Sequence, residues 1–84
     1  DFHKVEAYLQ TLPGVTAVHD LHIWGLSTQE NALTAHLIMP SRGLSDDDYV
    51  TINKRLQNDF AIQHVTLQVE KGTSDDPCGQ ARRC

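Results

Sequence analysis

The sequence predicts an α+β domain with the element order αββαβ, in which two helices cover one face of a three-stranded sheet. In two segments, apolar residues recur at intervals of three and four, as on one face of a helix. In three other segments, apolar and polar residues roughly alternate, as in strands with one buried face. The chain has 84 residues, which is enough for one small domain.

Residues 2–12 are predicted to form the first helix. Val5, Leu9 and Leu12 are four and three positions apart, which places them on one face of a helix. The dipeptide Pro13–Gly14 ends the segment, because proline cannot continue a helix and glycine favours a turn.

The second helix is predicted to begin after Ser45 and to run to about residue 58. Ser45 is a favourable N-cap residue, and three aspartates fill the first turn, where the helix dipole favours negative charge. We expect three apolar side chains of this helix to face the core: Val50, Ile52 and Leu56.

Three strands are predicted at residues 15–24, 32–39 and 64–70. The short connection at residues 27–31 implies that the first two strands form an antiparallel hairpin. Side chains alternate between the two faces of a strand, so one face should be apolar and the other mainly polar. The apolar face should carry Leu21, Ile23, Leu33, Ala35, Leu37, Met39, Val65, Leu67 and Val69. The uncovered face should carry Asp20, His22, Trp24, Thr34, His36, His64, Thr66, Gln68 and Glu70.

Composition changes after the third strand. Residues 71–84 are rich in Gly, Ser, Asp, Pro and Arg, so we expect a flexible tail after a folded domain at residues 1–70. The two cysteines, Cys78 and Cys84, both lie in this tail, and a reducing, cytoplasmic setting is the simpler interpretation. The chain begins at Asp1 directly in a helical pattern, which we interpret as a segment of a longer protein. No apolar run approaches the ~20 residues of a membrane-spanning helix.

The charge and the residue types argue against nucleic-acid binding and against catalysis. A net charge of −4 is unfavourable for contact with a phosphate backbone, and Arg82–Arg83 is only a short basic pair near the end of the sequence. The sequence places no serine or cysteine in a nucleophile context beside a histidine, and it contains no glycine-rich phosphate loop. We therefore expect a domain that is not an enzyme and has no nucleic-acid partner.

Histidines and carboxylates are combined on the uncovered sheet face. Neutral imidazole and carboxylate are the usual ligands of zinc and related divalent ions. Neighbouring strands lie about 4.8 Å apart, so side chains from different strands can converge on one ion. Ordinary solvated side chains are the alternative interpretation for each of these residues. The pattern indicates a metal site on this face without assigning its ligands.

Three sequence elements, taken in order and with their spacing, resemble one protein family. PGVTAVHDLHIWGLS, LTAHLIMP and HVTLQVE resemble the cytoplasmic C-terminal domain of cation diffusion facilitators, which transport zinc and other divalent metals. The resemblance implies a ferredoxin-like, metallochaperone-like sandwich that follows a six-helix membrane part and forms a V-shaped homodimer. It also implies that the parent protein exchanges metal for protons and that metal bound at the dimer favours transport. The domain would then be a sensor on the cytoplasmic side of a cell membrane.

The resemblance further implies a set of metal ligands. The histidine of the HDL element corresponds to His19, that of the AHL element to His36, and the acid ending the third strand to Glu70. These three residues are the predicted ligands of zinc, or of cadmium, cobalt or nickel. Further candidate ligands are His22, Asp47, Cys78 and Cys84, of which the tail cysteines could complete a site on the partner chain.

Alternation and resemblance disagree about the first strand. Counted from Leu21, strict alternation turns His19 toward the core, away from His36. A β-bulge, or a strand that begins only after His19, would free its direction. We therefore expect His19 to be the ligand and keep His22 as the substitute that alternation favours.

The alternative function is that of a soluble αββαβ metallochaperone or a small-ligand sensor. A chaperone would normally offer a cysteine pair near the first helix, and this chain has no cysteine before residue 78. A small-ligand sensor should respond to its ligand in the presence of a chelator.

Overall fold

The computed structural model describes residues 1–72 and contains the predicted elements in the predicted order. They are α1 (Phe2–Gln10), β1 (Ala17–Gly25), β2 (Asn31–Ile38), α2 (Asp46–Phe60) and β3 (His64–Glu70). The bounds of β3 are those predicted, while α1 ends two residues earlier and α2 two residues later than expected. Most of the predicted tail, from residue 73 onward, lies outside the described residues. Neither helix of the described part has the length and apolar character needed to cross a bilayer.

The sheet is mixed and has the strand order β1-β2-β3. β1 and β2 form the predicted antiparallel hairpin, whereas β3 runs parallel to β2. A parallel neighbour requires a crossover connection, and α2 supplies it. β2 is therefore the central strand, with one neighbour on each side.

Both helices pack on the same face of the sheet. The core cluster consists of Val5, Leu9, Leu21, Leu33, Ala35, Leu37, Met39, Ile52, Leu56 and Ile62. Leu21 is the buried apolar residue of the two outer strands, and their other apolar residues on this face are only partly buried: Val18, Ile23, Val65, Leu67 and Val69. The opposite face of the sheet has no helix over it in the described residues, as predicted.

The prediction that Val50 faces the core is wrong, because its side chain is 52% exposed. Ile52 and Leu56 are 2% and 0% exposed and lie one helical turn apart. A residue two positions before Ile52 is rotated by about 200° around the helix axis. It therefore points away from the core.

Helix α2 begins with a capping box. The Ser45 hydroxyl accepts a hydrogen bond from the Asp48 N–H, and the Asp48 carboxylate accepts one from the Ser45 N–H. The bond from the Ser45 backbone is the main reason that the pKa of the Asp48 carboxyl is lowered. At the other end, Ala61 takes the left-handed conformation, with a φ of 57°.

Candidate metal centre

A β-bulge in β1 brings His19 to the uncovered face of the sheet. The pairing with β2 shifts between His19, opposite His36, and His22, opposite Thr34, so one extra residue is inserted into β1. At the bulge, Asp20 has a φ of 54°, the left-handed conformation with which one type of bulge begins. The extra residue lets His19 share a face with His36 while residue 21 still enters the core. Of the two ways in which His19 could be turned toward this face, a β-bulge and a strand that begins only after His19, the structure contains the bulge.

Three side chains, each from a different strand, meet beside this bulge. His19 of β1, His36 of β2 and Glu70 of β3 each offer one potential ligand atom, and these atoms lie within 4.8 Å of one another. His19 Nε2 is 3.1 Å from Glu70 Oε1, and His36 Nδ1 is 2.7 Å from Glu70 Oε2. The fold thus brings together the three residues that the resemblance implied as ligands.

The cluster is shielded from solvent. The side chains of His19 and His36 are each 13% exposed, and that of Glu70 is 16% exposed. Within residues 1–72, Nδ1 of each histidine is buried and has no hydrogen-bond partner. The contact from His36 Nδ1 to Glu70 is short, yet it lacks the geometry of a hydrogen bond. Buried polar atoms without partners are unfavourable, so a further partner would stabilise both rings.

The donor set fits a divalent metal ion. Two imidazole nitrogens and a carboxylate oxygen are the ligands that zinc and related ions prefer, and three protein ligands leave a fourth tetrahedral position open. Gln68 Nε2 donates a 2.8 Å hydrogen bond to Glu70 Oε2 and so orients the carboxylate.

The remaining candidate ligands do not join the cluster. The His22 side chain is 63% exposed, and its Nε2 is 2.8 Å from Asp20 Oδ1. Asp47 is exposed in the first turn of α2, in the helix layer behind the sheet. Cys78 and Cys84 lie outside the described residues.

Asp20 is a neighbour of the cluster that the sequence pattern did not single out. Its Oδ2 lies 3.5 Å from His36 Nε2, and its side chain is 20% exposed. A sequence signal did exist, because aspartate is rare inside strands and is one of the few residue types that tolerate the left-handed conformation.

The family follows from a comparison with protein-family models. The model of the cytoplasmic domain of cation efflux proteins matches residues 1–72. This chain belongs to that family. The family described by this model is a cytoplasmic domain of cation efflux proteins and not an enzyme family, as predicted.

Three relatives of this cation efflux domain have names that refer to metal transport or efflux. A probable zinc transporter protein of Dictyostelium discoideum is 40% identical over 80 residues, which make up 93% of this chain and 14% of that protein. A probable proton-coupled zinc antiporter of Rattus norvegicus is 36% identical over 75 residues, 89% of this chain and 19% of that protein. The metal cation efflux system protein CzcD of Cupriavidus metallidurans is 34% identical over 82 residues, 96% of this chain and 25% of that protein. The cation efflux domain thus spans at most a quarter of the length of these three relatives.

A solved structure shares the fold. The metal-bound C-terminal domain of the CzcD transporter of Cupriavidus metallidurans matches with a TM-score of 0.70 and 34% identity. The match covers 83% of this chain and 97% of that one. It confirms the predicted metallochaperone-like α+β fold.

Proposed function

We propose that this domain binds a divalent metal ion of the zinc class through His19, His36 and Glu70. The observation that carries the proposal is the convergence of these side chains from three strands, with two buried imidazole nitrogens that lack hydrogen-bond partners in the described residues. The similar CzcD domain is described as metal-bound, and several relatives are zinc transporters. Zinc is the first candidate, and cadmium, cobalt and nickel accept similar ligands.

The proposed role is regulation of a metal/proton antiporter. One relative is a probable proton-coupled zinc antiporter, and the matching family is described as the cytoplasmic domain of cation efflux proteins. We propose that the transmembrane part of the full-length chain carries the ion, while this domain senses cytoplasmic metal and favours efflux. A net charge of −4 continues to argue against a nucleic-acid partner.

We further propose that the domain acts as a homodimer. A domain of this size buries a modest fraction of its surface, so a second copy would add apolar burial. Trp24, near the end of β1, and Leu26, just after it, are 44% and 54% exposed. An ion that ties three strands together would stiffen the sheet and hence any interface built on it.

The tail cysteines are the proposed source of a fourth ligand, in the same chain or in the partner. Gly72 lies close to Ile38, where an added Cβ would be 2.9 Å from Ile38 Cγ2. Ile38 is two positions from His36, on the same face of β2. The chain that follows β3 therefore begins on the same face of the sheet as the cluster. A thiolate ligand from Cys78 or Cys84 would favour zinc or cadmium.

Calorimetric titration of the chelator-treated chain with zinc tests the metal site. We expect saturable binding with a micromolar or lower Kd. The double substitution His36→Ala with Glu70→Gln should weaken binding on the order of 100-fold or more, because it removes two ligands where outer partners alone are worth about 10–100-fold. Replacing both Cys78 and Cys84 by serine should weaken zinc binding by a smaller factor than this double substitution does.

A matched control exists at the opposite end of the sheet. Glu30 and His64 form an exposed pair, 3.4 Å apart. The substitution His64→Ala with Glu30→Gln makes the same change of residue types and charge, and it should leave the Kd unchanged. Equal Kd values for the two double variants would refute the site. Light scattering on the same samples tests the dimer, and a monomeric mass at every concentration, with and without zinc, would refute that part of the proposal.

A further inference from the structure

We infer that Asp20 is a positioning residue of the metal site, acting through both its backbone and its carboxylate. Its left-handed backbone forms the bulge that brings His19 beside His36, and its carboxylate orients the His36 ring. The inference rests on the proposed metal function and adds to it a residue outside the set of ligands.

The backbone of Asp20 decides which face His19 occupies. Without the inserted residue, His19 would share the core face with Leu21, because side chains alternate along a strand. With the insertion, His19 stands opposite His36, and the two ring centroids are 5.1 Å apart. A φ of 54° is unfavourable for most residues with a Cβ, and aspartate tolerates it better than most. Such conformations persist where the surrounding structure imposes them, often at functional sites.

The carboxylate of Asp20 faces the ring nitrogen of His36 that points away from the cluster. His36 Nδ1 is 2.7 Å from Glu70 Oε2, and His36 Nε2 is 3.5 Å from Asp20 Oδ2. A neutral imidazole carries hydrogen on one nitrogen only. The two carboxylates therefore compete for the single hydrogen of a neutral ring. Glu70 favours hydrogen on Nδ1, whereas Asp20 favours hydrogen on Nε2, which is the form whose Nδ1 lone pair is free to bind a metal ion. This is the arrangement in which a second carboxylate orients a metal-binding histidine.

The cluster geometry separates this role from that of a ligand. Asp20 is not among the residues whose ligand atoms lie within 4.8 Å of one another. Its other oxygen, Oδ1, is 2.8 Å from His22 Nε2. We therefore assign the exposed His22 to holding Asp20 in place, rather than to the metal ion.

Three substitutions separate the backbone from the carboxylate. Asp20→Gly keeps the left-handed conformation, which glycine adopts freely, and removes the carboxylate. Asp20→Ala removes the carboxylate and also disfavours the bulge. Asp20→Asn keeps the shape and an oxygen acceptor but removes the charge. In calorimetric zinc titrations, we expect Asp20→Gly to raise the Kd by about 10–100-fold, Asp20→Ala to raise it further, and Asp20→Asn to raise it least.

A second measurement reports on orientation without metal. Imidazole nitrogen chemical shifts of the zinc-free protein identify the tautomer of each histidine. We expect the fraction of His36 with hydrogen on Nε2 to be lower in Asp20→Gly than in the parent chain, because the variant keeps the Glu70 carboxylate at Nδ1 and loses the Asp20 carboxylate at Nε2. A purely structural role would lower the unfolding midpoint of Asp20→Gly and leave this tautomer unchanged.

The outcomes distinguish this inference from the proposed function. A parent chain that binds zinc together with an Asp20→Gly variant of equal Kd and unchanged His36 tautomer would overturn the role of Asp20 alone. A parent chain that binds no zinc would overturn the proposed metal function, while the tautomer of His36 would still decide whether Asp20 orients the ring. Should Asp20→Ala fail to fold, the glycine variant carries the test.

Discussion

Replacing Leu56 by alanine should destabilise the domain by about 2–5 kcal/mol, whereas Val50→Ala on the same helix should change stability by less than about 0.5 kcal/mol. The Leu56 side chain is fully buried in the core cluster, and that of Val50 is 52% exposed. Leu→Ala removes three buried carbons at about 0.8 kcal/mol each, roughly 2.4 kcal/mol, to which the remaining cavity adds. Alanine is also the better helix former, which offsets the small loss at Val50.

Urea unfolding of the zinc-free chain, followed by far-ultraviolet circular dichroism, measures both values. A domain with this number of residues has a stability on the order of 4–13 kcal/mol, so Leu56→Ala should remove a large share of it. Comparable losses for the two variants would refute the assignment of the buried face of α2. A large loss of stability in Val50→Ala, with little loss in Leu56→Ala, would show that the Val50 face of α2 is the buried one.

Leu56→Ala also tests whether the proposed metal site is independent of the hydrophobic core. A ligand that binds only the folded state stabilises it by about 2.7 kcal/mol at a free concentration 100-fold above its Kd. The cluster lies on the uncovered face, away from Leu56, so zinc should return half or more of the lost stability to Leu56→Ala. Zinc that stabilises the parent chain but not Leu56→Ala would contradict the separation of site and core.

Two further predictions concern the ends of α2. Ala61 has a φ of 57°, which costs a residue with a Cβ about 1–2 kcal/mol, so Ala61→Gly should raise the free energy of unfolding in urea by about 1 kcal/mol. Asp48 has a lowered pKa, mainly because it accepts a hydrogen bond from the Ser45 N–H, so its ionised form stabilises the folded state. That stabilisation is present above the ordinary pKa of 3.8 and is lost as the pH falls through the lowered folded-state value. In urea unfolding, the free energy of unfolding of the parent chain should therefore exceed that of Asp48→Asn at neutral pH. The two values should converge in acid.

The order of elements was predictable because its signals are local. Ser45 and the aspartates after it specify the start of a helix within a few residues, and the alternation in β2 specifies a strand without reference to its neighbours. The error at Val50 was also local. An apolar residue two positions from Ile52 cannot share its helical face, and the spacing alone could have excluded it.

The location of the site required information that local patterns do not contain. Strict alternation placed His19 in the core, and only the resemblance to a family pointed to a bulge. The bulge depends on the pairing of β1 with β2, because Asp20 is held in its left-handed conformation between His19 and His22, which keep their partners across the strands. Aspartate at that position permits the bulge but does not by itself specify it.

Strand order is the second property that the sequence did not reveal. Because β2 is the central strand, His36 lies between His19 of β1 and Gln68 of β3. The parallel register pairs His36 with Gln68 and Ile38 with Glu70, so Glu70 reaches His36 diagonally. An antiparallel β3 would have reversed this register and moved the end of the strand to the other end of the sheet. The three candidate ligands meet because the α2 crossover makes β3 parallel to β2.

This arrangement explains how a small sheet could sense a metal ion. Each of the three proposed ligands comes from a different strand, and His19 and Glu70 lie on the two outer strands, which have a neighbour on one side only within the described residues. The ligands converge only when the bulge and both registers are native, so the binding free energy is available only to the correctly paired sheet. Outer strands have fewer partners than the central strand and are the parts most able to open locally. An ion held by both outer strands would therefore restrain the part of the sheet that opens most easily. The resulting stabilisation should be largest in the segments that border the uncovered face.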